Sequence, residues 1–155
     1  MSDIVSPQVR SRMMAGIKGK NTRPEMILRQ ELHKLGFRYR LHDRRLPGTP
    51  DLVFPRYRAV IFAHGCFWHG HECHLFKWPS TREDFWREKI GRNREVDAYN
   101  WSLLKQAGWR ICIVWECALK GKYRLDREKV IELCAQWLKS ETPSIEIYGE
   151  SRNNH

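Results

Sequence analysis

AVIFAHGCFWHGHEC, Ala59 to Cys73, joins two patterns without a break. AVIFA (Ala59–Ala63) is a continuous apolar run, which suits a strand covered on both faces. The residues after it crowd His64, Cys66, His69, His71 and Cys73 around Phe67 and Trp68. Metal ligands and large aromatics alternate here almost residue by residue. A closed metal knot would explain the first set and a hydrophobic core the second.

Working outward, DLVF (Asp51–Phe54) reads as a strand joined to AVIFA by the tight connection PRYR, and FRYRL (Phe37–Leu41) as another before the turn LPGTPD. WRICIVW (Trp109–Trp115) is a second buried strand. Helices fall between these runs. Thr22-Arg23-Pro24-Glu25 is a capping box opening a helix with the stripe Ile27, Leu28, Leu32 and Leu35, closed by Gly36. Ser80-Thr81-Arg82-Glu83 is a second box, opening a long helix to about Ala107 with Gly108 after it. Asp126 caps a last helix whose apolar face carries Val130, Ile131, Leu133, Cys134, Trp137 and Leu138. Pro7 opens a short helix to about Ile17, followed by a flexible basic link. The alternation predicts an α/β domain with a mixed sheet. It divides the chain into an N-terminal arm (1–20), a central domain (21–140) and a C-terminal tail (141–155).

The chain has 155 residues, enough for one domain with a core. Its 28 Lys+Arg against 18 Asp+Glu leave a net charge of +10, which favours a polyanionic partner, most simply nucleic acid. No apolar run is long enough for a membrane span, and the opening MSDIVSPQVRSRMM lacks the apolar region of a secretory signal. Five cysteines, two of them among histidines, favour reduced thiols and a metal in the cytoplasm over a disulfide framework.

A structural zinc site wants four ligands, usually thiolates and imidazoles. Cys66, His71 and Cys73 offer three, with His74 competing for the place of His71. Cys117, at the end of the second buried strand, is the best fourth. Cys112 lies within that strand and Cys134 on an apolar helix face, where free Cys packs as a small hydrophobe. The rival reading is that the cysteines are simply buried and the histidines incidental.

His64 and His69 are left over. Asp51 begins one strand and His64 ends the next, so a short connection can bring both to one sheet edge. A carboxylate there can hold a hard cation such as Mg²⁺, or be merely solvated. On the long helix, Trp86, Ile90, Asn93, Asp97, Trp101 and Leu104 share one face. Asp97 is polar within that stripe and needs a partner. A histidine, His64 or His69, would become a general base oriented by it; an arginine would make an ordinary ion pair. Glu25 is either only a helix cap or a cap that also reaches a metal site through water.

LPGTPDLVF, AVIFAHGCFWHGHEC, TREDFWREKIGRN and GWRICIVWECAL together resemble the very-short-patch repair (Vsr) DNA mismatch endonucleases, from about Ser11 to Trp137. The resemblance implies a restriction-endonuclease-like mixed sheet flanked by helices, with a structural Zn²⁺ site and Mg²⁺ as catalytic cofactor. It implies nicking of double-stranded DNA beside the T of a T·G mismatch left by deamination of 5-methylcytosine. Asp51 would be the Mg²⁺ carboxylate, His69 the general base with His64 and Asp97 beside it, and Glu25 a helper through water. Related nucleases carry an acid-x-Lys motif where this chain has Phe62-Ala63-His64. Ala63 stands where the family often has Thr, so it would serve Mg²⁺ by its main-chain carbonyl and not by a hydroxyl. Phe67, Trp68 and Trp86 would wedge into the DNA, against the alternative of core packing. Arg10, Arg12, Met13, Met14 and Lys18 of the N-terminal helix would contact the DNA from the far groove, against the alternative of an exposed basic helix. The expected setting is a monomeric, cytoplasmic, nucleoid-associated enzyme with mismatch-repair proteins and a repair polymerase as partners. Two other classes compete: a zinc-bearing DNA-binding module without chemistry, and a hydrolase using the zinc itself.

Overall fold

The computed structural model describes residues 21–150. The expected N-terminal helix, with Arg10, Arg12, Met13, Met14 and Lys18, and the closing SRNNH lie outside the described residues. The apolar runs pair as Arg40–Leu41 (β1), Leu52–Phe54 (β2), Ala59–His64 (β3), Arg110–Trp115 (β4) and Ser144–Ile147 (β5). They lie side by side in chain order in a five-stranded sheet. The pairs β1–β2 and β2–β3 are antiparallel, and β3–β4 and β4–β5 are parallel. Helices Arg23–Lys34 (α1), Glu83–Gln106 (α2) and Arg127–Leu138 (α3) complete the α/β domain.

Strand alternation sorts the core into two layers. Leu52, Phe54, Ala59, Ile61, Cys112 and Val114 pack with Leu28 and Leu32 of α1 and with Val130, Cys134 and Trp137 of α3. Val53, Val60, Phe62, Ile111, Ile113 and Trp115 point the other way, toward Leu104 and Trp101 of α2. Leu28, Leu32 and Leu104 are fully buried, each worth ~1.5–3 kcal/mol of transfer free energy. His64 continues the α2-facing parity of Phe62, while Ala63 packs on the α1/α3 layer. One strand end thus delivers adjacent residues to opposite sides of the sheet.

Both predicted glycine stops are Schellman turns. Gly36 (φ 95°) and Gly108 (φ 88°) adopt the left-handed backbone, and the following residues, Phe37 and Trp109, donate to Leu32 O and Leu104 O at 3.1 and 3.0 Å. The helix starts are less regular. Thr22 does cap α1, accepting from Glu25 N at 3.4 Å. The expected Ser80 box is not formed: α2 begins after Arg82, itself left-handed and making no side-chain cap bond. Glu83 therefore sits in the first turn and pairs with Arg87 at 2.7 Å. Asp126 occupies the N-cap position of α3 without a side-chain cap bond.

Two further differences concern strands. The expected run Phe37–Leu41 pairs only at Arg40 and Leu41, because Phe37 and Tyr39 instead turn edge-on to Phe54, at 6.3 and 5.7 Å. Residues 144–147, left in the tail by the sequence reading, supply the strand β5. No helix among the described residues is long and apolar enough to cross a membrane.

Candidate active site

Three groups of potential ligands gather at the β3 end of the sheet and the loop that follows. The first contains Cys66, His71, Cys73 and Cys117, with one atom from each within 4.8 Å of the others. His71 Nδ1 lies 3.5 Å from Cys66 Sγ and 3.7 Å from Cys117 Sγ. Ligands of a tetrahedral Zn²⁺, with Zn–S of about 2.3 Å and Zn–N of about 2.0–2.1 Å, stand roughly 3.6 Å apart. The residues fit a zinc ion with His71 bound through Nδ1. Its ring lies flat on Trp115 at 4.1 Å. Backbone amides of Cys117, Leu75 and Gly149 donate to the sulfurs of Cys66, Cys73 and Cys117 at 3.4, 3.4 and 3.3 Å, as a thiolate cluster requires. A hydrogen bond from Cys66, then His71 and the Gly149 amide, hold Cys117 down to about 4, while the same Cys66–Cys117 contact and burial push Cys66 up. His74 is not in the group; it packs edge-on to Tyr123. Cys112 and Cys134 are buried in the α1/α3 layer.

The second group is His64, His69 and Asp97. Asp97 Oδ2 lies 2.5 Å from His69 Nδ1. That contact sets the tautomer and leaves Nε2 to accept a proton. His64 stacks face to face on His69 at 3.6 Å. Burial, with His69 alongside, pushes His64 well below its ordinary value, so it stays neutral. Its Nδ1 is buried and has no hydrogen-bond partner among the described residues. Asn93, one turn before Asp97, donates to Trp68 O at 2.9 Å. The two polar residues in the α2 stripe therefore fasten consecutive loop residues, Trp68 by its backbone and His69 by its ring.

The third group is Glu25, His42 and Asp51. Asp51 Oδ2 accepts from Ala63 N at 2.7 Å, which ties β2 to the end of β3. Burial, with the negative charge of Glu25 nearby, pushes Asp51 up to about 7. Glu25, only 1% exposed, accepts from Asn21 N at 3.0 Å through Oε1. Its Oε2 approaches His42 Nε2 at 2.7 Å and Arg29 Nη1 at 3.4 Å. Glu25 thus reaches back to a backbone amide at the helix start and also belongs to this group of potential ligands. Sequence reasoning missed His42. The signal was antiparallel register: Leu41 pairs with Leu52, so His42 falls opposite Asp51, and its N–H donates to Asp51 O at 3.1 Å.

The last two groups share a cleft of about 360 Å³, lined by His42, Asp51, Ala63, His64, His69 and Asp97 among others. Phe67, Trp68 and His69 line a neighbouring hollow. Phe67, Trp68 and Trp86 form an aromatic cluster with centroids 5.3–5.8 Å apart. Phe67 and Trp86 are half-buried, and Trp68 is 8% exposed.

The sequence model of the family described as DNA mismatch endonuclease Vsr matches residues 2–75. The DNA mismatch endonuclease Vsr of Escherichia coli (strain K12) is 46% identical over 147 residues, covering 95% of this chain and 94% of its own. The chain belongs to the Vsr family. Two type II nicking enzymes are also similar to it. V.XorIIP of Xanthomonas oryzae pv. oryzae is 49% identical over 119 residues, covering 77% of this chain and 88% of its own. V.NmeAIP of Neisseria meningitidis is 45% identical over 122 residues, covering 79% and 87%. The Vsr family match contains Asp51, His64, His69, Cys66 and Cys73. Asp97 and Cys117 lie beyond it, inside the longer overlap with the Escherichia coli relative.

Proposed function

We propose that this chain is a T·G mismatch-specific DNA endonuclease that nicks the strand beside the mismatched T by Mg²⁺-dependent phosphodiester hydrolysis, starting very-short-patch repair of deaminated 5-methylcytosine. The observation that carries the reading is the shared cleft. A half-buried carboxyl group, Asp51, whose nearest basic group among the described residues is His42 at 3.8 Å, faces the same space as an imidazole already oriented by a carboxylate. That is the equipment for activating water at a phosphodiester.

Asp51, with the main-chain carbonyl of Ala63, would hold Mg²⁺, and Glu25 would support it through water. Mg²⁺ bound there supplies charge to the phosphoryl oxygens and lowers the pKa of water. His69 takes the proton of the attacking water at Nε2, and Asp97 stabilises the resulting imidazolium from Nδ1. Neutral His64, flat against His69, fixes the plane of that ring. Zn²⁺ on Cys66, His71, Cys73 and Cys117 would fasten the loop carrying both His69 and the aromatics.

Phe67, Trp68 and Trp86 would wedge into the base stack at the mismatch, where opening a step costs least. Trp68 must leave its packed position to do so. Arg12, Met14 and Lys18 of the N-terminal arm would contact the DNA. The setting is the bacterial cytoplasm, with mismatch-repair proteins and a repair polymerase acting nearby and the enzyme monomeric.

Nicking of paired duplexes, identical except for T·G or C·G at one position, tests the reading. The T·G duplex should be nicked when Mg²⁺ is added and left intact when divalent cations are withheld. Binding without nicking would favour the non-catalytic DNA-binding module. Activity that follows added zinc and ignores Mg²⁺ would favour the zinc hydrolase.

A further inference from the structure

The group Glu25–His42–Asp51 contains a nitrogen donor that the proposed mechanism does not use. Each carboxylate has one oxygen committed to a backbone amide: Glu25 Oε1 to Asn21 N, and Asp51 Oδ2 to Ala63 N. The remaining oxygens face His42 Nε2, at 2.7 Å for Glu25 Oε2 and 3.8 Å for Asp51 Oδ1. Ligands of one cation of Mg²⁺ size stand no more than about 4.2 Å apart, twice the bond length, so both separations are within reach. His42 Nε2 is buried and, despite its closeness to Glu25, is not aligned for a hydrogen bond. Glu25 Oε2 also accepts from Arg29 Nη1 at 3.4 Å, and one ligand atom from each of Glu25, His42 and Asp51 lies within 4.8 Å of the others. The backbone enforces this. His42 is left-handed (φ 47°) directly after β1, and its amide is held by Asp51 O.

Mg²⁺ is a hard ion that favours sites made only of oxygen, whereas imidazole raises affinity for later first-row ions in the order Mn²⁺, Fe²⁺, Co²⁺. We infer that His42 is a direct ligand in the cation site of Asp51 and Glu25, and that this site takes Mn²⁺ or Co²⁺ in preference to Mg²⁺. The inference rests on the proposal that Asp51 holds the catalytic cation. It adds an element choice and a ligand from the turn directly after β1.

The test uses the full chain with its zinc retained. Mn²⁺ and Mg²⁺ affinities are measured by calorimetry on the wild type, His42→Asn and Asp51→Asn. Bound Mn²⁺ is examined by electron spin-echo spectroscopy, which detects a directly coordinated nitrogen. Asn adopts left-handed backbone readily and offers only an oxygen, so His42→Asn should fold; a melting curve checks this. The wild type should show nitrogen coupling to Mn²⁺, lost in His42→Asn, and the Mn²⁺/Mg²⁺ affinity ratio should fall about tenfold or more. Asp51→Asn should lose the site for both ions. If His42 were only a protonated counter-charge, its removal would tighten both ions equally and the wild type would show no coupling. Either observation overturns the inference. Nitrogen coupling that survives in His42→Asn would assign the donor to His64 or His69 and also overturn it. T·G nicking with no nitrogen coupling would leave the proposed function standing and remove His42. Nitrogen coupling lost in His42→Asn, without any nicking, would do the reverse.

Discussion

Replacing Asp51 by Asn should stabilise the protein when Mg²⁺ is absent. Asp51 is largely buried beside Glu25, and its carboxyl is pushed from 3.8 to about 7. Roughly three pH units at ~1.4 kcal/mol each put the cost of its charge to the cation-free fold at up to about 4 kcal/mol at pH 8. The sign follows from proton uptake. Between about pH 4 and 7 the folded chain keeps this proton and the unfolded chain has lost it, so stability falls as pH rises across that window and levels off above it. Asn keeps an oxygen for the Ala63 amide but brings an NH₂ group needing a partner, so the net gain should be about 1–3 kcal/mol. At this chain length that raises the melting temperature by roughly 3–10 °C. Melting should be followed by circular dichroism at pH 8 and pH 5, in Mg²⁺-free buffer without chelator, with zinc content checked. The gain should shrink at pH 5. Added Mg²⁺ should raise the wild type by mass action and leave Asp51→Asn unmoved. The variant should not nick at any Mg²⁺ concentration. Melting at or below the wild type at pH 8, or near-normal nicking, would refute the reasoning.

His69→Ala should keep its zinc, its fold and its DNA binding while single-turnover nicking slows ~10²–10⁴-fold, the usual contribution of a positioned base; a rate within a factor of a few of the wild type would dismiss it as the base. Phe67→Ala should narrow the preference for T·G over C·G duplexes in a competition assay without altering zinc content or melting, and loss of folding would return Phe67 to a packing role. Cys117→Ser should lose the metal, by elemental analysis, and aggregate or unfold; a soluble, active, zinc-free variant would contradict the structural role.

The sheet was readable from AVIFA and RICIVW because few arrangements other than central strands bury such runs on both faces. The cluster of four potential ligands was readable because three fall within eight residues and the fourth follows a buried strand. The residue pattern by itself left His64 and His69 open as partner of Asp97, and only the family resemblance named His69; the fold brings the His69 ring to Asp97. His42 was invisible because its relation to Asp51 depends on antiparallel register across two short strands. Ser144–Ile147 was missed because its residues are mostly polar or half-exposed; the neighbouring strand β4, not its own composition, makes it a strand. The Ser80 box shows that a capping pattern marks a helix start only when the backbone around it is free to comply.

The late strand β5 has a consequence for synthesis of the chain. It covers the open flank of β4, whose residues Ile111 to Trp115 are all buried, and Glu146 accepts from Trp115 Nε1 at 2.7 Å. Without residues 144–147 in place, this buried strand presents a row of bare amides and carbonyls to any other unfinished copy, a template for intermolecular pairing. A chain terminated near residue 140 would keep every proposed catalytic residue and every proposed zinc ligand and still be expected in the insoluble fraction.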